Sequence, residues 1–595
     1  MFFTEFDPLT EEAVRAAVLE KGKADGGLYE LPEGKKMCAY LTGEFAPKEL
    51  SYEFGKDELT VTVDGKTGTV PYSARKWKEI VMISHLLPDS TGMFHLVLDT
   101  RTNALTVFET WFGITVPVGH NMFTGKEPDY YRDIPREVQR EIYFGRADFG
   151  DGKEDDGTRH TFTNRLEGRG FYWKFYNGYE FLSFSPAVNY CTIVELGKRE
   201  MGGITMADPS DYIRIDDELY IFARWEPEYS GKMWLEIIDL FEMKTCGIEL
   251  GFEEDNSFTW RFSGAELTMT GVIAHMEMIS DNGENRTLPP FLQGKKGARY
   301  VYRPKDMHPP ISHEEAVRKI PANLHVLDNC DGIMDSGHNF PLSDKLVGKT
   351  FRVKPDQEKY AAAPWSGALK EPFWYEYEFL SADRLRYRLP GTDWQEEVYN
   401  CFETDKDLFF FTHMLTGDPN FKAISQIVDL SNGLATTVTV EVGNWHSGWE
   451  SGSGVYFGTV EYGDLKPPFT RRHHFTDELV GCCFCWNYTD TMNSIHMYSA
   501  PESYSWTIFQ ADNAGGVSWS SPGYYIKLRE NVYLLQWIEE NCNGNQGLVI
   551  INRKLQHDGG FFYGMYEDGL KLSITGAFMR ELGKLDIKKY FEKDM

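Results

Sequence analysis

The chain has few of the features that mark secreted, membrane-spanning or nucleic-acid-binding proteins. Nine cysteines in 595 residues are too few for a disulfide framework. No run of 18 consecutive apolar residues is present, so we expect no transmembrane helix. Residues 1–7 lack the basic and then apolar stretches of a signal peptide. Basic residues number 61 against 90 acidic ones, and a formal charge of −29 disfavours nucleic acid or an anionic membrane as partner. We therefore predict a cytoplasmic protein.

Aromatic residues, by contrast, are abundant. They make up 15% of the chain, with 40 Phe, 32 Tyr and 15 Trp. Such side chains suit pleated, half-buried strands and line pockets for flat ligands. A chain of this length needs more than one core, so we expect several domains.

The sequence is internally duplicated. Tyr143 and Tyr456 each open a Tyr-Phe-Gly motif, His160 and His473 each follow an arginine, and both pairs are 313 residues apart. The same spacing continues without a gap as far as Gly251 and Gly564. Chance does not hold one register over so long a stretch, so the repeat indicates two related halves.

The remaining parts of the two halves repeat with small insertions. The Glu-Glu-Ala-Val-Arg run at 11–15 recurs at 314–318, and the stretch that ends in His85 recurs with His413. A proline- and glycine-containing stretch at 283–312 reads as the linker. We predict four domains, at 1–140, 141–290, 305–450 and 451–595.

Alternating polar and apolar residues dominate the pattern. Runs such as 59–63, 437–442 and 533–537 predict strands, and Asn-Gly pairs predict hairpin turns. Thr10 and Ser312 precede the two Glu-Glu-Ala-Val-Arg runs and are predicted to cap short helices. Serial hairpins in modules of roughly 100 residues close most naturally as up-and-down barrels.

These stretches resemble the MoaF family, whose members are labelled molybdenum cofactor biosynthesis protein F. Residues 159–181 (RHTFTNRLEGRGFYWKFYNGYEF), 210–231 and 240–252 look like its C-terminal domain. Residues 343–353 (SDKLVGKTFRV), 408–415 and 426–443 look like its N-terminal domain. The chain thus resembles two fused MoaF units.

MoaF domains are in turn similar to the lipocalin-like phenolic acid decarboxylases, which act on hydroxycinnamic acids without a cofactor. The resemblance implies an all-β fold of four lipocalin-like (calycin) antiparallel barrels, arranged as two duplicated two-barrel halves, with no cofactor and no metal. The position of the decarboxylase glutamate matches Glu226 and Glu539. This sequence departs from the decarboxylases at the paired tyrosines, where Trp173 with Phe175 and Trp486 with Tyr488 stand, and at the arginine, which is Gly203 or Gly516.

Four residues are candidates for proton transfer. Glu226 and Glu539 end strands that are otherwise apolar, where burial raises the pKa of a carboxyl group. The alternative for each is a strand-end carboxylate that faces water. His85 and His413 are natural acid/base groups near neutral pH, or histidines that only complete a hydrogen bond inside a barrel.

The remaining candidates would bind the ligand. Trp173, Phe175, Trp486 and Tyr488 are candidate walls, since an aromatic ligand needs stacking surfaces. The pairs Arg159 with His160 and Arg472 with His473 could hold a ligand carboxylate, although a role in the connection between modules is favoured. Cys482, Cys483 and Cys485 have no counterpart in the first half, so we expect them to pack rather than to bind metal.

Three functions remain open. The first is a cofactor-free acid/base lyase or isomerase for a small aromatic, phenolic or conjugated compound. The second is a non-catalytic protein that binds or carries a small apolar ligand. The third is a structural role in a larger assembly, favoured if side chains fill the barrels.

Overall fold

The computed structural model describes most of the chain. The described residues are 9–113, 136–196, 205–226, 231–253, 255–274, 276, 293–298, 326–327, 338–356, 373–418, 420–442, 451–510, 517–539, 545–566 and 569–591. They divide into two compact units, with the main division between Arg303 and Pro304. The predicted all-β fold is confirmed, because each unit contains two closed, eight-stranded antiparallel barrels.

The first barrel closes when its last strand pairs with its first. Its strands are β1 (Lys36–Thr42), β2 (Leu50–Phe54), β3 (Glu58–Val63), β4 (Lys66–Trp77), β5 (Ile80–Leu86), β6 (Met93–Asp99), β7 (Ala104–Phe112) and β8 (Val138–Asp148).

The second barrel has eight strands in its ring and two short strands beside it. The ring consists of β10 (Arg169–Phe175), β11 (Glu180–Ala187), β12 (Tyr190–Glu195), β13 (Thr205–Arg214), β14 (Leu219–Trp225), β15 (Met233–Asp239), β16 (Lys244–Phe252) and β18 (Ala265–Val272). Outside the ring, β9 (Thr161–Phe162) pairs with β13, and β17 (Phe258–Ser263) pairs with β16.

The third barrel repeats the strand order of the first. Its strands are β20 (Thr350–Pro355), β21 (Tyr375–Phe379), β22 (Arg384–Arg388), β23 (Gln395–Asp405), β24 (Leu408–Met414), β25 (Ala423–Asp429), β26 (Leu434–Val442) and β27 (Ser451–Glu461).

The fourth barrel closes because its last strand pairs with both of its neighbours in the ring. The ring consists of β29 (Cys482–Thr489), β30 (Met492–Ala500), β31 (Ser503–Gln510), β32 (Val517–Arg529), β33 (Val532–Glu539), β34 (Asn545–Asn552), β35 (His557–Tyr566) and β36 (Gly569–Lys584). Outside it lie β19 (Val326–Leu327), β28 (His474–Phe475) and a 3₁₀ helix, Lys588–Tyr590.

Two of the predicted boundaries fall within a strand or next to one, whereas the predicted linker at 283–312 lies outside the described residues except for 293–298. The boundary at 140/141 lies within β8, which pairs with β1 and β7 and therefore belongs to the first barrel. The boundary at 450/451 lies at the start of β27, which closes the third barrel up to Glu461. In both cases the last strand of a barrel continues past the point where the sequence motifs of the next module begin.

Each barrel has an interior core, and a second core lies between the two barrels of a unit. In β5, Val81 and Ile83 belong to the interior cluster, while Ile80 and Met82 pack in a cluster with residues of the second barrel. The period-two alternation of a strand thus serves both cores, because one face points inward and the other meets the neighbouring barrel.

Two pairs of repeated glycines have a steric reason. A Cβ atom at Gly145 would lie 2.0 Å from the carbonyl oxygen of Tyr40, and one at Gly458 would lie 2.2 Å from that of Lys354. Gly168 and Gly481 have φ angles of +77° and +88°, which side chains rarely adopt. The duplicated Tyr-Phe-Gly motif therefore marks the point where the first barrel and the third barrel close.

The described chain has one α-helix, α1 (Glu11–Lys21). The predicted cap is confirmed, because the hydroxyl oxygen of Thr10 accepts a hydrogen bond from the backbone N–H of Ala13. The second predicted helix, after Ser312, lies outside the described residues. Among the residues that are described, no helix is long and apolar enough to cross a membrane.

Candidate functional site

The first barrel holds His85 in a fully bonded, neutral state. Its Nδ1 lies 2.7 Å from the carbonyl oxygen of Leu86, so this nitrogen carries the proton. Its Nε2 then accepts a hydrogen bond from the hydroxyl of Tyr52 at 3.3 Å. Burial lowers the pKa of His85 to about 4. At neutral pH this imidazole is therefore a hydrogen-bond acceptor and carries no charge.

The third barrel repeats this pair and extends it. His413 donates from Nδ1 to the carbonyl oxygen of Met414 at 2.7 Å and accepts at Nε2 from the Tyr377 hydroxyl at 3.2 Å. Gln426 donates to that hydroxyl at 3.0 Å, and Thr437 donates to the Gln426 amide oxygen at 2.8 Å. Burial lowers the pKa of His413 to about 4 as well. We call this chain of four side chains the Tyr377 network.

The fourth barrel places Glu539 at the end of β33, where three donors surround its carboxylate. Trp506 and Ser521 donate to Oε1 at 3.2 and 3.0 Å, and the indole of Trp537 donates to Oε2 at 3.0 Å. Burial nevertheless raises the pKa of Glu539 to about 7. The desolvation of the carboxylate thus outweighs the three hydrogen bonds that stabilise it.

The interior around Glu539 is rich in aromatic rings. Trp486 lies 5.8 Å from the His496 ring, which lies 5.2 Å from Tyr504, and Tyr504 lies 5.9 Å from Trp537. This series of ring contacts joins Trp486 and Glu539 within one barrel. Tyr488 is also buried, and burial raises its pKa well above the usual value. The fourth barrel thus combines stacking surfaces with a carboxyl group whose pKa is raised to about 7 by burial.

Several buried polar atoms of this barrel have no hydrogen-bond partner among the described residues. Three of them, Trp486 Nε1, His496 Nδ1 and Tyr498 Oη, lie on the neighbouring strands β29 and β30. Buried polar atoms are normally bonded, so these three atoms keep an unused capacity for hydrogen bonds. By contrast, the buried histidine and tyrosine of the Tyr377 network bond each other.

The second barrel places Glu226 beside a buried arginine. Nη1 of Arg224 lies 2.6 Å from Oδ2 of Asp208 and 4.0 Å from Oε1 of Glu226. Arg224 and Asp208 are fully buried. Burial raises the pKa of Asp208 to about 6, although the guanidinium of Arg224 opposes that rise.

Trp173 and Phe175 lie in the interior of the same second barrel. Their rings are 6.1 Å apart and stacked, and the indole N–H of Trp173 donates to the hydroxyl of Ser183 at 2.7 Å. Phe181 links them to Arg224, since it lies 5.2 Å from Trp173 and 5.0 Å from the Arg224 guanidinium. The structure therefore brings both predicted Trp–Glu pairs into single barrels.

The predicted Arg–His pairs are bonded to neighbouring protein groups. Arg159 forms an ion pair with Asp155, and Arg472 forms a two-bond ion pair with Asp356. His160 bonds Thr106, and the equivalent His473 bonds Thr436, each at 2.8 Å through Nδ1. Burial lowers the pKa values of these imidazoles to about 4 and about 3. These two histidines connect the segments before the second and fourth barrels to the first and third barrels, respectively.

Metal binding has little geometric basis in the described part of the chain. There, no group of three or more His, Cys, Asp or Glu side chains is placed to hold a metal ion. Cys482 and Cys483 are buried and Cys485 is partly buried, and burial raises the pKa values of their thiols. These cysteines therefore resemble packed residues more than ligands.

Sequence reasoning missed the residues that surround the two glutamates. Arg224 carried a signal, because it is a charge within the otherwise apolar strand β14. Asp208, Trp506 and Ser521 carried none, since each reaches the site only when neighbouring strands pair. The positions that the decarboxylase resemblance assigned to arginine, Gly203 and Gly516, lie outside the described residues.

Comparison with known proteins finds two family matches, both in the second half of the chain. Residues 326–444 match the model of the MoaF N-terminal domain, and residues 473–584 match that of the MoaF C-terminal domain. A search of curated proteins found no match. Four solved chains match, among them the "Crystal Structure of a putative beta-lactamase from Burkholderia vietnamiensis", at 15% identity and a TM-score of 0.15, covering 18% of this chain and 95% of that one. At that TM-score the likeness carries no argument.

The two matched ranges follow each other in chain order and correspond to the third and fourth barrels. Closed barrels that carry MoaF domains make this a lipocalin-like protein of the small-molecule-binding kind. The matches to both MoaF domains support a MoaF family protein, in which the first half repeats the two-barrel architecture of the second.

Proposed function

We propose that the fourth barrel is the site of a cofactor-free acid/base enzyme, a lyase or isomerase that acts on a small aromatic or conjugated compound. Glu539 is the group that moves the proton. The observation that carries this proposal is the position of its carboxyl group, which is buried among aromatic rings and has a pKa raised to about 7. A general acid or base works best when its pKa lies near the working pH.

The three donors around Glu539 support this role. Trp506, Trp537 and Ser521 hold the carboxylate in one orientation, so little reorganisation is needed when the proton moves. The rings of Tyr504 and Trp537 offer faces on which a flat substrate can stack. The unpartnered atoms on Trp486, His496 and Tyr498 supply further polar contacts to orient it.

His85 and His413 are less suited to the same role. Both have pKa values lowered to about 4, and both ring nitrogens of each are already bonded to the protein. Glu226 lies 4.0 Å from the guanidinium of Arg224, whose Nη1 already bonds Asp208, and not among ring N–H donors like those around Glu539. We therefore place the chemistry in the fourth barrel and not in the other three.

A non-catalytic carrier is the second candidate. It is favoured by the same three hydrogen bonds to Glu539, because a carboxylate whose oxygens are engaged by the protein can serve only to shape the site. In that case the fourth barrel would bind the aromatic compound and release it unchanged.

The test is to incubate the purified full chain with phenolic acids and flavonoid-like compounds and to follow mass changes. Glu539→Gln should reduce turnover by roughly two to four orders of magnitude. Glu530→Gln, at a glutamate whose side chain is 75% exposed, is the matched control and should not change it. Circular dichroism and thermal melting confirm that each variant folds.

The other outcomes each decide against the proposal. Binding without any mass change would favour the carrier. Full turnover in Glu539→Gln would remove this carboxyl group from the chemistry, and loss of turnover in His413→Asn alone would move the site to the third barrel.

A further inference from the structure

The second barrel contains an arginine with one edge that no described residue engages. Arg224 is fully buried, and its Nη1 bonds Asp208 at 2.6 Å. Its Nε and Nη2 have no hydrogen-bond partner within the described ranges. These two nitrogens form the side edge of the guanidinium, where two N–H bonds point in parallel. Such a fork matches the two oxygens of a carboxylate.

The walls beside this fork are flat. The ring of Trp234 lies 3.8 Å from Cζ of Arg224, and that of Phe181 lies 5.0 Å from it. Trp173 stacks on Phe181 at 5.2 Å. The guanidinium is therefore held in a fixed plane between rings, and these rings suit a ligand that is itself planar.

The charges around the fork favour a singly charged ligand. Several ionisable groups lie near Arg224 or on the rings that contact it: Tyr179, Cys191, Glu195, Asp208, Glu226 and Lys232. The acidic members of this group would repel a dianion such as phosphate more strongly than a monocarboxylate.

The fourth barrel lacks this fork. At the same spacing of 313 residues, Trp537 stands in place of Arg224 and Ser521 in place of Asp208. Both replacements contribute instead to the hydrogen bonds around Glu539. The second barrel therefore places an arginine beside its glutamate, where the fourth barrel places a tryptophan.

We infer that the second barrel is a separate binding site for a small planar monocarboxylic acid, whose carboxylate is held by Nε and Nη2 of Arg224. This inference concerns a different barrel from the proposed acid/base site and does not depend on it. Because the bound carboxylate lies close to Asp208, the pKa of Asp208, already raised to about 6, rises further. Binding near neutral pH should therefore take up a proton.

The test uses benzoate as the probe and neutral benzamide as its matched control. Isothermal titration of the full chain should give saturable benzoate binding and at least tenfold weaker benzamide binding. Arg224→Lys keeps the charge but loses the fork, so it should weaken benzoate binding about tenfold or more. Arg165→Lys, the same change at an arginine that is 53% exposed, should leave it unchanged.

Three results would overturn the inference. They are no saturable benzoate binding at millimolar concentration, equal binding of benzamide, or equal benzoate affinity in Arg224→Lys. If Arg224→Lys does not fold, titration of the wild-type chain in two buffers of different ionisation enthalpy decides the matter. Proton uptake with benzoate that is absent with benzamide supports the site, and binding without proton uptake counts against it.

Discussion

The Tyr377 network offers a test of stability that has its own control in the same chain. Tyr377→Phe removes the hydroxyl that donates to His413 and accepts from Gln426, and it therefore leaves two buried polar groups unsatisfied. Each such group costs about 1–3 kcal/mol. We expect the free energy of unfolding of the third barrel to fall by about 2–6 kcal/mol.

The equivalent change in the first barrel should cost less. Tyr52→Phe leaves only Nε2 of His85 without its donor, a loss of about 1–3 kcal/mol. The positions that correspond to Gln426 and Thr437 are Leu96 and Val107, which pair with each other as Gln426 pairs with Thr437. The apolar pair needs no hydrogen bond, so His85 is the only group of this site that loses one.

This contrast predicts a rescue. At these three positions, the triple variant Tyr377→Phe, Gln426→Leu, Thr437→Val gives the third barrel the composition of the Tyr52→Phe variant of the first. It should be more stable than Tyr377→Phe alone, because the Gln426 amide is no longer left unsatisfied. Hydrogen exchange of peptides from β24 and β5 across a urea series measures each barrel separately. The reasoning is refuted if Tyr52→Phe costs as much as Tyr377→Phe, or if the triple variant is no more stable than the single one.

Two further predictions concern the fourth barrel and barrel closure. Burial raises the pKa of Asp558 from 3.8 to about 8 and that of Glu539 from 4.5 to about 7. Between these values the folded state holds protons that the unfolded chain has lost. The stability of the fourth barrel should therefore fall as pH rises from about 4 to about 8. Asp558→Asn should flatten this slope in urea titrations at several pH values, and an unchanged slope would count against the assignment. Gly458→Ala should lower the thermal midpoint by several degrees or prevent folding, because the added Cβ would lie 2.2 Å from the carbonyl oxygen of Lys354. The control Thr459→Ala, at the next residue of β27, should have a small effect. Equal thermal midpoints for the two variants would contradict the steric argument.

The architecture was predictable because its signals are local and repeated. Alternation in runs such as 533–537 predicted the strand β33, and the constant spacing of 313 residues placed Glu226 and Glu539 in equivalent strands. Thr10 before Glu11 predicted the start of α1. The ends of the barrels were less predictable, because β8 and β27 each continue beyond a change of motif in order to pair with the first strand of their own barrel.

The surroundings of the candidate groups were not predictable in the same way. Trp506 on β31 and Ser521 on β32 bond Glu539 on β33, and these contacts depend on the register in which neighbouring strands pair. The hydroxyl that bonds Nε2 of His413 belongs to Tyr377, which lies 36 residues earlier in the chain. The sequence around Glu539 or His413 contains no information on which residues of other strands will contact them.

The sequence by itself thus determined the duplication, the all-β class and the identity of the ionisable residues inside apolar strands. Only the tertiary structure decided what those residues became: a carboxyl group with a raised pKa in the fourth barrel, an arginine with an open fork in the second, and neutral bonded histidines in the first and third. The physical reason is that charge states depend on desolvation and on partners from other strands, and both arise only when a barrel closes.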